Sequence, residues 1–285
     1  MNYTCGNKKH CLKISETDGG IISLQYNGVE LLEPATKAFS LRLRRIEDGN
    51  ELTVTSLDFH DFRRMENICC WSGYTGAEKF SVECKVVFDG SFFRFRPSVH
   101  NLPPGYWLEL IDFPLISVNE SRDLLWSHYG GCMVQEPFKR KREEKHIGFP
   151  GSTDLNVYPG CCQLQFFASF AENCGLYFSA DDYSHSTKAL ELGDNGTGQV
   201  EMRMECTCGK WGMNGNFELP FDLLLGGFDG DWHDACEIYR KWLEKDPVMQ
   251  QKSAHAGWMD KTPIFVEYPL CGAGKTTADT NNSQP

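Results

Sequence analysis

Three absences in this chain each close off a class of function. Basic residues are outnumbered: 28 lysines and arginines stand against 39 aspartates and glutamates, for a formal net charge of -11. A nucleic-acid binder would present a basic face instead. Among 13 cysteines there is no CxxC, and no second Cys/His pair stands at zinc-ligand spacing; Cys206-x-Cys208 is the nearest approach. The thiols therefore read as buried or incidental, and as the reduced thiols of a cytoplasmic protein. No apolar run is long enough to span a membrane, and the N-terminal MNYTCGNKKHCLKISETDGG has no apolar core segment of the kind a secretion signal needs. The expectation is a chain with no nucleic-acid partner, no membrane, no metal and no cofactor.

Short catalytic signatures are also missing. No GxSxG elbow, HExxH, GxGxxG or EF-hand spacing occurs. CGAGKTT at Cys271–Thr277 imitates a phosphate loop, but the pattern needs a glycine at position 269, where Pro269 stands. Without that glycine the backbone amides cannot close around a phosphate, and the polar TADTNNSQP that follows is not helix-forming. The basic run KRKREEK at Lys139–Lys145 is short, is interleaved with Glu143 and Glu144, and sits in an acidic protein, so it reads as solvated surface. It belongs to the longest loop candidate, Glu136–Gly160, and long loops in compact domains often line binding sites.

What is present is strand pattern. The chain is 41% hydrophobic and 13% aromatic, enough for a large core. In Lys79–Asp89, Phe80, Val82, Cys84, Val86 and Phe88 alternate with mostly polar neighbours, as in a half-buried antiparallel strand. Asp89-Gly90 follows, then Phe93, Phe95 and Val99 alternate again. That is a hairpin signal, with a type I′ turn expected. Ala38–Arg45 and Gln199–Glu205 alternate in the same way. Further strands are expected at Ile21–Tyr26, Leu52–Phe59, Trp107–Phe113, Gln163–Ser169, Gly175–Ser179 and Phe217–Leu225. The fold class is all-β, a large antiparallel sandwich.

After Gly227 the pattern changes. Asp231–Asp246 reads as an amphipathic helix: Asp231 suits the N-cap, Asp234 the first turn, and Pro247 stops it. Trp232, Ala235, Cys236, Tyr239, Trp242 and Leu243 form one apolar stripe, and its tryptophans read as packing anchors.

Two stretches look site-like. In GLYFSADDYSHSTK at Gly175–Lys188, a strand delivers Asp181, Asp182, Tyr183 and His185 into a loop. Carboxylates beside an imidazole and an aromatic ring suit sugar hydroxyls or acid–base work; a solvated turn with aspartates capping backbone amides explains them equally. In LLWSHYGGC at Leu124–Cys132, Trp126, His128 and Tyr129 run into Gly130-Gly131, either as a stacking surface for a sugar or as a structural aromatic cluster. Trp211 carries the same two readings. The paired carboxylates of glycoside hydrolysis cannot be picked out this way, because that chemistry depends on a separation in space.

Taken in order, YPGCCQLQFFASFAENCGLYFSADD, NFELPFDLLLGGFDGDWHDACEIYRKW and TPIFVEYPL resemble bacterial glycoside-hydrolase-like proteins, and GGIISLQYNGVELL at Gly19–Leu32 is similar to the first hairpin of galactose-mutarotase-like sandwiches. The resemblance covers most of Lys13–Leu270. It implies a mutarotase-like β-sandwich over 1–227, a connector helix and linker over 228–260, and over 261–285 the first strand of a truncated (β/α)8 barrel with a polar tail. Ile264–Tyr268 would be an orphan strand, and the connector's Trp232, Tyr239 and Trp242 would pack partly on the missing barrel. The family's catalytic carboxylates normally lie in that barrel, so this chain would shape a cleft for a poly- or oligosaccharide, with Asp181, Asp182, His185, Trp126 and His128 as candidate contacts and the barrel domain as partner. A free-standing aldose mutarotase or epimerase is the alternative. That family uses a histidine acid and a glutamate base, but its Asn–His strand motif is missing here, where His100 stands in SVHNLPPG. A structural module with no ligand is the third reading.

Overall fold

The computed structural model describes residues 2–35, 37–128, 131–134, 156–194, 198–208 and 215–250. Three antiparallel sheets account for most of them. A four-stranded sheet runs in chain order through β1 (Asn2–Gly6), β2 (His10–Ser15), β3 (Ile21–Tyr26) and β4 (Val29–Glu30). The seven-stranded sheet contains β5 (Ser40–Arg45), β6 (Glu51–Thr55), β11 (Tyr106–Asp112), β12 (Ile116–Asn119), β15 (Val157–Tyr158), β18 (Lys188–Asp194) and β19 (Gln199–Thr207). Its order is β15-β18-β19-β11-β5-β6, with β12 also on β19. The ten-stranded sheet contains β7 (Phe59–Met65), β8 (Ile68–Tyr74), β9 (Ser81–Phe88), β10 (Phe93–His100), β13 (Asp123–His128), β14 (Cys132–Val134), β16 (Cys162–Ala171), β17 (Cys174–Asp181), β20 (Phe217–Glu218) and β21 (Asp222–Asp229). Its order is β14-β13-β16-β17-β21-β10-β9-β8-β7, with β20 also on β10.

Alternation explains the layering. Leu41, Leu43, Ile111, Leu190, Met202 and Met204 from the seven-stranded sheet meet Val82, Phe93, Phe95, Phe167 and Phe178 from the ten-stranded sheet in one buried core, to which Leu12, Ile21 and Leu24 of the N-terminal sheet also belong. This is the expected sandwich, each sheet giving one face to the interior.

β16 and β17 depart from simple alternation because both of their faces are covered. Phe167 points into the main core. Phe166, Ala168 and Phe170 point the other way, into a second core with Tyr177, Phe228, Ala235 and Tyr239. The last two belong to helix α1 (Trp232–Leu243), and the continuous apolar run FFASFA follows from that double burial. Asp231 caps the helix by accepting from His233 N at 2.8 Å, and Asp234 accepts from Asp231 N at 3.0 Å, a reciprocal capping box.

The structure corrects several local expectations. The β9–β10 loop is four residues, with Phe88 paired to Phe93, and not a two-residue type I′ turn. Asp89 decides this: its carboxylate accepts from Ser91 N at 2.9 Å, Phe92 N at 2.8 Å and Arg94 Nε at 2.6 Å. Leu52–Phe59 is broken by a single 3-10 turn at Ser56–Asp58, where Asp58 accepts from Thr55 N at 2.7 Å, and Phe59 opens the next strand. The first compact unit is Met1–Asp246 and includes α1. Of the second unit, Pro247–Pro285, the described part is the short helix α2 (Pro247–Gln250); Ile264–Tyr268 and 261–285 lie outside the described residues.

Candidate functional site

The loop after β17 is a structural joint. Asp181 accepts from Trp242 Nε1 of α1 at 2.8 Å and from Arg94 Nη1 at 2.7 Å, tying the helix to β10. Asp182, 2% exposed, accepts from Ser184 N at 2.9 Å, Ser186 N at 2.7 Å and Lys188 Nζ at 2.9 Å. Lys188 is wholly buried and donates also to Gln165 Oε1 at 3.0 Å and Ser186 O at 2.6 Å, with Nζ 4.8 Å from the Tyr158 ring centroid. Three acceptors call for three N–H donors, which only the ammonium supplies. Burial pushes the Asp182 carboxyl up, but Lys188 and the two serine amides outweigh it and hold the group below its ordinary range.

His185 adopts φ 53°, meets the Tyr158 hydroxyl through Nδ1, and places Nε2 2.8 Å from Asp246 Oδ2. Tyr183 stacks on Trp242 with ring centroids 4.7 Å apart. Asp181, Asp182, Tyr183 and His185 are thus brought together, yet what they hold is the helix and its C-terminal end.

Trp126 lies elsewhere. It is 0% exposed and donates Nε1 to Leu190 O at 2.9 Å, a bond from the ten-stranded sheet to the seven-stranded one. Trp126 and Asp182, both expected as sugar contacts, are buried side chains in this structure. His128 sits in β13 opposite Cys162. Trp211 lies outside the described residues.

A different constellation meets the physical requirements of a site. On the face of the seven-stranded sheet opposite the core, Ser40, Asp112 and Glu205 stand in one cross-strand row, and Glu191 pairs in register with Arg203. Arg42 bridges Glu51 at 3.5 Å and Glu205 at 3.7 Å, while Arg203 reaches Glu205 from the other side, also at 3.7 Å. Arg44 directs Nε and Nη2 at Glu109 Oε2, 3.0 and 2.6 Å away. β11 pairs with β19 up to Glu205, and β12 rejoins it only at Met202. The chain steps out of the ladder between them, and a cleft of about 190 Å³ opens there, lined among others by Lys37, Ser40, Asp112, Ser117, Glu201 and Arg203.

Asp112 is 4% exposed, and its Oδ1 has no hydrogen-bond partner among the described residues; the same holds for buried Arg203 Nε. Burial, then the negative charge of Glu205, drives the Asp112 carboxyl well above the ordinary carboxylate range, against a smaller pull from Arg203. Glu191, 2% exposed, is also raised, chiefly by burial, though Asn156 Nδ2 donates to it at 2.8 Å. Buried polar atoms are nearly always paired, so the Asp112 oxygen and the Arg203 nitrogen are exceptions on this face of the sheet. Among the described residues no group of three His, Cys, Asp or Glu is placed to hold a metal ion.

The alternation of Glu201, Arg203 and Glu205 was legible in the sequence, but Asp112 drew no attention in WLELIDF. Only the cross-strand register puts it beside Glu205.

Asp112 carries a stability consequence. A carboxyl whose folded pKa is raised contributes fully below its unfolded pKa, near 3.9, and that contribution is lost as pH rises through the folded value. Asp112→Asn, which has no charge to bury, is therefore expected to stabilise the protein at pH 7 and to have little effect near pH 3. Urea unfolding at both pH values checks this; the same change at both would show that ionisation of Asp112 is not the cause.

No protein-family model matches the chain, and none of the curated proteins does. Among solved structures, the alpha-N-acetylgalactosaminidase NagBb from Bifidobacterium bifidum in its GalNAc complex superposes with TM-score 0.58 at 13% identity, over 86% of this chain and 38% of that one. Its Gal-NHAc-DNJ complex gives TM-score 0.59 at 12% identity, over 85% and 38%. A looser overlap with a galactose mutarotase-like protein from Lactobacillus casei ATCC 334, TM-score 0.42 at 10% identity over 80% of this chain and 100% of that one, carries no weight. The chain thus spans well under half the length of NagBb, and at these identities the likeness is one of fold.

Proposed function

We propose that this sandwich serves a carbohydrate-active, glycoside-hydrolase-like enzyme by forming part of a glycan-binding cleft on the polar face of its seven-stranded sheet. The observation that supports the reading is the cleft of about 190 Å³ itself, which Lys37, Arg203, Glu201, Ser40 and Ser117 line together with the buried carboxyl Asp112. Sugar hydroxyls each donate and accept, so a wall of mixed donors and acceptors suits them better than a wall of one sign. The catalytic step would fall to a companion domain such as a (β/α)8 barrel; the coverage of NagBb leaves room for one.

The test is a titration of the purified chain with a panel of oligosaccharides, followed by calorimetry or NMR. Binding is expected at about millimolar Kd, roughly -4 kcal/mol, with perturbations centred on Asp112 and Arg203. A flat response to every member of the panel at tens of millimolar would leave the structural-module reading in its place.

The pairing of Asp112 with Glu205 supports a second reading, a free-standing mutarotase. A carboxyl biased toward its neutral acid beside a carboxylate held between Arg42 and Arg203 is an acid and base combination. Polarimetry on α-glucose and α-galactose decides it: acceleration over buffer that disappears in Glu205→Gln is required, and the buffer rate would exclude it.

A further inference from the structure

A second cleft, of about 320 Å³, opens where the three sheets meet. Its walls come from Val29–Glu33 at the end of the four-stranded sheet, from the β12–β13 turn and from the β16–β17 turn. It shares no lining residue with the cleft at Asp112. We propose that this second cleft binds a small monocarboxylate, with Arg122 Nη1 as the donor to the carboxylate. The inference stands apart from the sugar-binding reading above.

Arg122 lines the cleft, is half-buried and is held by neutral acceptors. Its Nε donates to Ser169 Oγ at 3.0 Å, and its Nη2 donates to Cys174 O at 2.9 Å and Ser169 O at 3.5 Å. These bonds fix one edge of the guanidinium against the β16–β17 hairpin. A guanidinium carries five N–H donors, and the two on Nη1 have no acceptor among the described residues. Nor is Nη1 one of the buried unpaired atoms, so it is open to solvent. Because the hairpin already holds the group, a ligand would not have to order it.

The charge is also left over. Burial pushes the Arg122 guanidinium down from its ordinary pKa, and no carboxylate among the described residues offsets that. A cation taken partly out of water normally has an anion beside it. The glutamates of the cleft are engaged elsewhere or stand at its rim. Glu30 accepts from Ser23 Oγ at 2.6 Å and Leu24 N at 2.8 Å, and Glu33 accepts from Asn119 Nδ2 at 3.1 Å. Glu172 is exposed in the two-residue β16–β17 turn, at φ 50°.

The same three glutamates limit the ligand. One carboxylate can meet Arg122, but a second would face like charge. Val29, Leu31, Leu32 and Ala171 give the ligand's body an apolar wall. About 320 Å³ lies at the lower end of the roughly 300–1,000 Å³ usual for small-molecule sites, which suits a compact acid.

The experiment titrates the whole chain with isobutyrate, glucuronate, the dianion succinate and neutral isobutyramide, each to tens of millimolar and followed by NMR. The proteins are wild type, Arg122→Gln and Glu172→Gln, each checked for folding by circular dichroism. A monocarboxylate is expected to bind with about millimolar Kd, with shifts centred on Arg122, and isobutyramide and succinate to bind more weakly. Arg122→Gln should weaken binding at least about tenfold, as for loss of a hydrogen bond to a charged group. Glu172→Gln should tighten it by about two- to fivefold, the effect of one exposed charge. The tighter of isobutyrate and glucuronate tells an aliphatic acid from a sugar acid, and either supports the proposal. If Arg122→Gln does not fold, Glu172→Gln and the amide still decide. Isobutyramide binding as tightly as isobutyrate, succinate binding more tightly than both monocarboxylates, or affinity unchanged in Arg122→Gln would each overturn the proposal. Silence from both monocarboxylates would overturn it too and leave Arg122 as a clamp on the hairpin. Glucuronate shifts centred on Arg203 instead would overturn it while supporting the sugar-binding reading.

Discussion

Lys188→Met is expected to destabilise the sandwich by about 3–5 kcal/mol, the usual result of removing one partner from a buried ion pair. Lys188 is 0% exposed and Asp182 2%. Without the ammonium, Asp182 keeps its two amide donors from Ser184 and Ser186 but loses its counter-charge, while Gln165 Oε1 and Ser186 O each lose a donor. The joint that seats α1 weakens with it, since the Gln165 amide N–H donates to Tyr239 Oη at 3.4 Å and the adjacent Asp181 holds Trp242.

Denaturant unfolding measures the loss, and acid provides an internal check. A carboxyl held below its ordinary range contributes stability above its unfolded pKa, and that contribution fades as pH falls through the folded value. The wild type should therefore lose more stability than the variant on acidification, and Asp182→Asn in the Lys188→Met background should recover part of the loss. A cost under about 1 kcal/mol, the range of exposed ion pairs, would mean that the pair is not held as described.

The second large effect belongs to Trp126. Trp126→Ala is expected to cost about 3–5 kcal/mol, from a cavity where a large aromatic was buried and from loss of its hydrogen bond to Leu190 O between the two sheets. Glycan affinity per folded molecule should not change. The result separates two roles that the sequence left open: a variant of normal stability with weakened sugar binding would restore Trp126 as a stacking surface and contradict its place in the core.

Much of the architecture was legible because it is encoded locally. Alternation at period 2 marked most of the strands, and Ile21–Tyr26 matches to the residue. Asp231 and Asp234 announced the helix start because capping uses side chains within one turn of the amides they satisfy. Where local chemistry was overlooked, it was the reach of aspartate side chains: Asp89 builds a four-residue loop and Asp58 a 3-10 turn that interrupts an otherwise continuous apolar pattern.

The candidate site was not legible in that way. Lys188 closes a polar-looking loop in the sequence, and lysine is rarely buried without a partner; only the folded chain brings Asp182, Gln165 and Tyr158 around it. In the folded chain Asp181 accepts from Trp242 of α1 and Asp182 from Lys188, partners that the sequence does not place beside them.

By itself the sequence determined that this is an all-β chain with one well-capped amphipathic helix near its end, since pattern and capping act over a few residues. The tertiary structure decided where its unpaired chemistry lies. Asp112 and Glu205 become neighbours through the β11–β19 register, and Arg203 is left facing a gap in the ladder. Register between strands distant in the chain is set by the packing of the whole core, and no short stretch of sequence contains it.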